Sequence, residues 1–156
     1  MTTISIPIAA TGKARPRERG RLPTAYRAWK RTAAALIARA LRLEGWTPQH
    51  DSTVPVGVRV VGYAKRPKAR PAALRHVCTP KQWREGFRAL RLATPDADNL
   101  EGAVWDAIND TGLVWTDDAQ AVSLGCWEWY AAPGEAPRIE ITLAALNVTA
   151  DPLEAL

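Results

Sequence analysis

The spacing of apolar positions divides the chain into short segments of different period. In "TISIPIA" Ile4, Ile6 and Ile8 alternate with other residues, which predicts a strand. From Thr24 the period lengthens. Tyr26, Trp29, Ala33, Leu36, Ile37, Ala40 and Leu41 recur at helical spacing, with Thr24 as the expected N-cap and Gly45 as the stop. "VPVGVRVVGY" is short and β-branched, so it predicts a strand. "TPKQWREGFRALRLA" predicts a helix that starts at Thr79 and carries Trp83, Phe87 and Leu90 on one face. A further helix follows Asp98, with Leu100, Ala103, Val104, Ala107 and Ile108 on one stripe, and "NDTG" ends it. "LVW" predicts a short strand, and "VSLGCWEWYAA" and "RIEITLAAL" two more, joined by the turn "PGEAP".

Strands and helices mix without regular βαβ alternation, so the expected class is α+β: one domain, a small mixed sheet packed with two or three helices. The domain is expected over 1–146, with "NVTADPLEAL", residues 147–156, as a C-terminal tail. A chain of 156 residues buries a real core without staples. Cys78 and Cys126 are the only cysteines and show no metal spacing, which fits reduced thiols in a cytoplasmic protein. No apolar run reaches the length of a membrane span, so no membrane partner is expected.

Charge adds a second pattern. Seven of the 16 acidic residues, and none of the 21 basic ones, fall between Thr94 and Gln120, so that stretch carries −7 and the rest of the chain +12. The seven are Asp96, Asp98, Glu101, Asp106, Asp110, Asp117 and Asp118. Gathered carboxylates repel one another unless a cation sits among them. The block is therefore either a cation site or a solvated face with helix caps. Pro95 favours an extended approach, in which residues two apart share a face, so Asp96 and Asp98 are expected to point at one spot. Asp98 also reads as an N-cap, with Glu101 three residues on as in a capping box. Hard divalent ions such as Mg²⁺ take such oxygen ligands together with waters and phosphate oxygens. Asp106 and Asp110 read as helix-surface charges, and His50 and His76 as exposed and incidental.

The basic residues fall in two runs that suit a polyanion. Lys13, Arg15 and Arg17 lie in a Pro-stiffened loop; Lys65, Arg66, Lys68 and Arg70 lie in a second. Both are candidate phosphate contacts, as is Lys81, and both also read simply as solvated loops. Trp83, Trp127 and Trp129 read as core or interface residues. Trp105 falls on the polar side of its helix, where a dimer or DNA contact is conceivable.

The order Pro95-Asp96-Ala97-Asp98-Asn99-Leu100, then Asp106-Ala107-Ile108-Asn109, then Asp117-Asp118-Ala119-Gln120 resembles the core of RusA-type Holliday junction resolvases. "GKARPR", Gly12 to Arg17, resembles that family's basic N-terminal element, and the resemblance spans roughly residues 4 to 143. It implies a homodimeric, Mg²⁺-dependent endonuclease of bacteria or phages that cuts four-way DNA junctions by paired nicks. It places the catalytic, metal-binding aspartates at Asp96, Asp98 and the Asp117-Asp118 pair, of which Asp118 is the favoured ligand. The family's basic residue four positions after the second aspartate falls on Gly102. Either another cation replaces it, with Lys13 and Lys81 as candidates, or the chain is a weakened or inactive junction-binding protein on the same scaffold.

Overall fold

The computed structural model describes residues 1–13, 22–91 and 95–146. Four strands and three α-helices follow one another as β1 (Thr2–Ile6), α1 (Thr24–Leu43), β2 (Val56–Ala64), α2 (Pro80–Arg84), α3 (Ala97–Asn109), β3 (Ala121–Tyr130) and β4 (Arg138–Ala145). The sheet order is β1-β4-β2-β3. β4 runs antiparallel to both β1 and β2, while β2 and β3 run parallel. The class is the expected α+β with a mixed sheet. The expected tail, 147–156, lies outside the described residues.

Alternation sets the two faces of the sheet. Val56, Val58 and Val60 of β2 and Ile139, Ile141 and Leu143 of β4 are fully buried against the helices. α1 adds Ala33, Ile37 and Leu41, and α3 adds Leu100, Val104, Ala107 and Ile108 to the same core. Each fully buried Leu or Ile contributes about 2 kcal/mol. The opposite face carries polar pairs: Thr3 with Thr142 at 3.0 Å, and Tyr63 donating to Glu140 at 3.3 Å.

Several boundaries differ from the expected ones. β1 stops at Ile6, because Pro7 has no N–H for the ladder. The N-cap of α1 is Pro23, without a side-chain cap; Thr24 is the first helical residue, and its hydroxyl accepts from Arg27 Nη2 at 3.4 Å. Gly45, at φ +67°, does end that helix. α2 is only five residues long. Thr79 caps it in a reciprocal pair with Gln82, but Gly86 at φ +97° breaks it. Leu90 therefore leaves the helix and bridges to Trp129, while Phe87 still packs against the cluster of Leu74, Cys78, Trp83 and Ala89. The expected "LVW" strand shrinks to a single bridge from Trp115 to Gln49.

One irregularity matters for the site. Between Val58 and Arg59 the β2–β3 register shifts by a residue, so that Val58 faces Ser123 and Arg59 faces Gly125. Gly125 adopts φ +117°, and its missing side chain makes room for the Trp127 ring, 2.5 Å from where a Cβ would stand. After the bulge Cys126 and Glu128 point toward α3, and Trp127 points away and is 41% exposed.

Candidate functional site

α3 begins two residues earlier than expected: Asp96 is its N-cap, in extended backbone geometry, and Asp98 lies within the first turn. The two carboxylates do not project from one face of a strand. Both sit at the helix N-terminus, where the exposed N–H groups and the macrodipole favour negative charge. Asp96 faces the 10–13 segment and accepts a hydrogen bond from Asn99 Nδ2. Asp98 lies toward β3, near Cys126. Glu101 makes no capping box. Its carboxylate accepts from Ser123 Oγ on β3.

Asp96 opens into a cleft of about 480 Å³ lined by Ala10, Thr11, Gly12, Lys13, Arg91, Pro95 and Asn99. The N-terminal wall is held in place by backbone contacts. Trp29 Nε1 donates to Ala9 O at 2.9 Å, and Lys13 N donates to Asn99 O at 2.8 Å. Gly12 is needed for this approach, because a Cβ there would stand 3.0 Å from Pro95 Cβ.

Lys13 then runs along α3. Its Cδ lies 3.1 Å from the place a Cβ on Gly102 would occupy, and its ammonium meets Asp106 Oδ1 at 3.0 Å. Lys13 thus takes the space left by Gly102. The other candidate, Lys81, does not; it pairs with Glu85 on the exposed surface of α2. Asp106 is a hub as well as a surface charge, since Tyr26 donates to its Oδ2 at 2.7 Å. Burial, then the Asp106 hydrogen bond and charge, push the Tyr26 phenol above its ordinary pKa. Asp110 pairs with Lys30 at 2.9 Å.

Arg91 of the cleft wall and its buried partner Glu128 were not singled out from the sequence. Arg91 Nη1 contacts Glu128 Oε2, and Arg91 N donates to Glu128 O at 2.7 Å. Glu128 is 6% exposed, and burial, opposed by Arg91, raises its carboxyl pKa. The available signal was a lone carboxylate in the otherwise apolar run "CWEWY". Cys126, between Glu128 and α3, has its thiol pushed up to about 12 by burial, then by Glu101, Glu128 and Asp98.

The second acidic group lies at the other end of α3. Asp117 caps the 3₁₀ turn Asp118–Gln120, its Oδ1 accepting from Ala119 N at 2.8 Å. Asn109 Nδ2 donates to Asp118 Oδ2 at 3.4 Å, while Asn109 Oδ1 accepts from Trp115 Nε1 at 2.7 Å. Buried Gln120 ties the turn down. Its Oε1 accepts from Thr116 N and Asp117 N, and its Nε2 donates to Asp51 O and Val54 O. Asn109 lies eleven residues after Asp98 in the helix, a span of about 16 Å. Among the described residues no three His, Cys, Asp or Glu side chains cluster at metal-binding distance. One chain therefore offers two acidic poles with oxygen donors suited to a hard cation, rather than one ligand set.

The expected phosphate contacts divide. Arg15 and Arg17 lie outside the described residues. Lys65 and Lys68 are exposed. Arg66 stacks on Trp83 at 3.5 Å and donates to the carbonyls of Trp83, Phe87 and Ala131. Arg70 donates to the carbonyls of Arg75 and Cys78. Arg66 thus ties the 65–91 segment to the end of β3, and Arg70 ties that segment to itself. Trp105 packs edge-on to Trp115, with centroids 6.5 Å apart, and joins the core. His50 and His76 are exposed, as expected.

Residues 6–144 match the family model for endodeoxyribonuclease RusA. The chain belongs to the RusA endodeoxyribonuclease family. No curated protein matches it. The RusA match runs from the last residue of β1 to the penultimate residue of β4 and takes in both acidic poles, so the site lies within the matched region. Among the described residues no helix is long and apolar enough to cross a membrane.

Proposed function

We propose that the chain is a Mg²⁺-dependent endonuclease that acts as a homodimer and cuts four-way DNA junctions by paired nicks. The observation that carries this reading is the Asp96 cleft. It brings the Asp96 carboxylate, at a helix N-terminus, into one cleft with Arg91 and the Lys13 segment, which supports holding a cation and a phosphodiester together. Asp96 and Asp98 would supply two oxygen ligands. The bound ion would neutralise charge developing on the phosphate and lower the pKa of an attacking water.

Because Asp118 meets Asn109 at the far end of α3, about 16 Å of helix beyond Asp98, this reading draws the third ligand from a second chain. A two-fold axis can bring the Asp117-Asp118 pole of one copy to the Asp96-Asp98 pole of the other. Two such composite sites then form at once, one for each strand to be nicked. Lys13 would contact the substrate backbone, with its ammonium poised between Asp106 and phosphate. Trp127, exposed on the sheet face away from the helices, is a candidate for part of the interface.

The test is a labelled four-way junction and a linear duplex of the same sequence, each incubated with and without Mg²⁺. Symmetric paired nicks in the junction alone, requiring Mg²⁺, are expected. Equal cutting of the duplex would replace junction specificity with general nuclease activity. Tight binding without cutting would make the protein a non-catalytic junction binder.

A further inference from the structure

We propose that Arg91 seats a backbone phosphate in the Asp96 cleft, and that buried Glu128 is the positioning residue that aims it. The inference rests on the reading of this cleft as a DNA site.

Arg91 is tied to Glu128 twice, by its backbone N–H and by its guanidinium. Its backbone is fixed further by β3, since Tyr130 N donates to Ala89 O at 3.1 Å and Leu90 bridges to Trp129. Segment 89–91 thus runs as a short edge partner of β3 and delivers Arg91 to the cleft that Asp96 opens into. The arginine side chain is 22% exposed and the glutamate side chain 4%. The buried end of the pair is the carboxylate, and the guanidinium is the end that borders the cleft.

The pair is a poor device for stability alone. Glu128 sits against Leu100 and Ala10 beside Gly62, whose Cβ would stand 3.2 Å from Glu128 Cγ. Its Oε1 is buried and without a hydrogen-bond partner. A buried ion pair can often be replaced by apolar residues without loss of stability, and an apolar side chain would suit these neighbours. What the ion pair adds is a fixed guanidinium. That group's planar fork matches phosphate better than an ammonium does. Bordering the cleft that Asp96 opens into, it offsets the repulsion between Asp96 and an incoming phosphate.

The test measures junction binding in EDTA across a series of salt concentrations, and so does not depend on cleavage. Arg91→Gln is expected to lower the slope of log affinity against log salt by about 0.9, the value for one lost phosphate contact on duplex. Glu128→Gln removes a negative charge and by simple electrostatics should tighten binding to DNA; as a positioning residue it should weaken it instead. Combining the two should cost no more than Arg91→Gln alone. If a single substitution unfolds the protein, Arg91→Met with Glu128→Leu keeps the volume apolar. That variant should fold and show the same slope loss. A folded variant lacking Arg91 with an unchanged slope, or a Glu128→Gln protein that binds more tightly, would overturn the inference. Wild type that binds junctions with this Arg91 dependence but never cuts would contradict the nuclease reading and leave the phosphate seat standing.

Discussion

Lys13 lies across Gly102, with its Cδ 3.1 Å from the position of the absent Cβ, and ends on Asp106 one turn further along α3. A glycine inside a helix costs about 1 kcal/mol relative to alanine. Here it provides the groove in which the lysine stem rests. Gly102→Ala should recover part of that cost, because the Lys13 side chain is 52% exposed and its stem can shift by a few tenths of an ångström. Urea unfolding should show a gain of under about 1 kcal/mol. Gly102→Lys puts a second ammonium in competition for Asp106 and should displace Lys13 from the groove. Lys13→Ala should slow junction cleavage more than Gly102→Lys restores it. A destabilised Gly102→Ala protein would mean that the lysine stem cannot move aside.

Asp96→Asn and Asp98→Asn should each abolish cleavage and preserve junction binding. Neither change removes a contact that a polyanion needs, and both reduce repulsion. Each should lower stability by roughly 0.3–1 kcal/mol through weaker interaction with the helix N-terminus. Gel shifts and thermal melts on the same preparations check both parts. Loss of the shifted band along with the cutting would assign these residues to folding.

Gln120→Ala should be the most damaging change near the second acidic pole. It leaves the Thr116 and Asp117 N–H groups and the Asp51 and Val54 carbonyls without their partner. Unsatisfied buried groups cost about 1–3 kcal/mol each, so a loss of roughly 2 kcal/mol or more is expected in denaturant melts. The Asp117-Asp118 turn should loosen with it, and cleavage should fall in the protein that remains folded. A stability equal to wild type would contradict the bracing role.

Cys126 provides a pH readout of the first pole. With its thiol pushed up to about 12, the reactive thiolate is scarce at pH 8 and grows only well above the range where ordinary cysteines ionise. Iodoacetamide should modify it far more slowly than a free thiol. Because the unfolded thiol ionises at lower pH, its contribution to stability is present below the ordinary cysteine pKa and is lost as pH rises from there toward 12. Glu101→Gln removes one of the charges that raise it and should speed alkylation. Rapid alkylation of the folded wild type at pH 8 would contradict the burial seen here.

The layered fold was readable because its signals were local. The alternating isoleucines of β1, the helical stripe of α1 and the stripe from Leu100 to Ile108 each need only their own segment to be recognised. Gly86 shows where this fails. The spacing of Trp83, Phe87 and Leu90 suits a helix, but one left-handed residue ends it and Leu90 pairs with β3 instead. The acidic block was visible by charge alone, yet its division into two poles was not, because it follows from where α3 begins and how far it runs. Arg91 and Glu128 escaped notice for a related reason. Their partnership spans 37 residues and depends on a bulge at Gly125 that turns Glu128 inward. Asp96 at the cleft, by contrast, stands where the motif placed interest, although as an N-cap rather than as the partner of Asp98 on one strand face.

The division of the acidic residues between the two ends of α3 is the feature on which the composite-site proposal depends, and mixing subunits tests it most directly. Asp96→Asn and Asp118→Asn proteins are each inactive under the proposal. After subunit exchange, the mixed dimer joins the intact Asp96 of one copy to the intact Asp118 of the other and rebuilds one whole site. Single-turnover assays of a labelled four-way junction with Mg²⁺ should then show nicking of one strand per junction without the paired second cut. A mixture that exchanges subunits and remains as inactive as its components would contradict the shared site and return the three aspartates to a single chain.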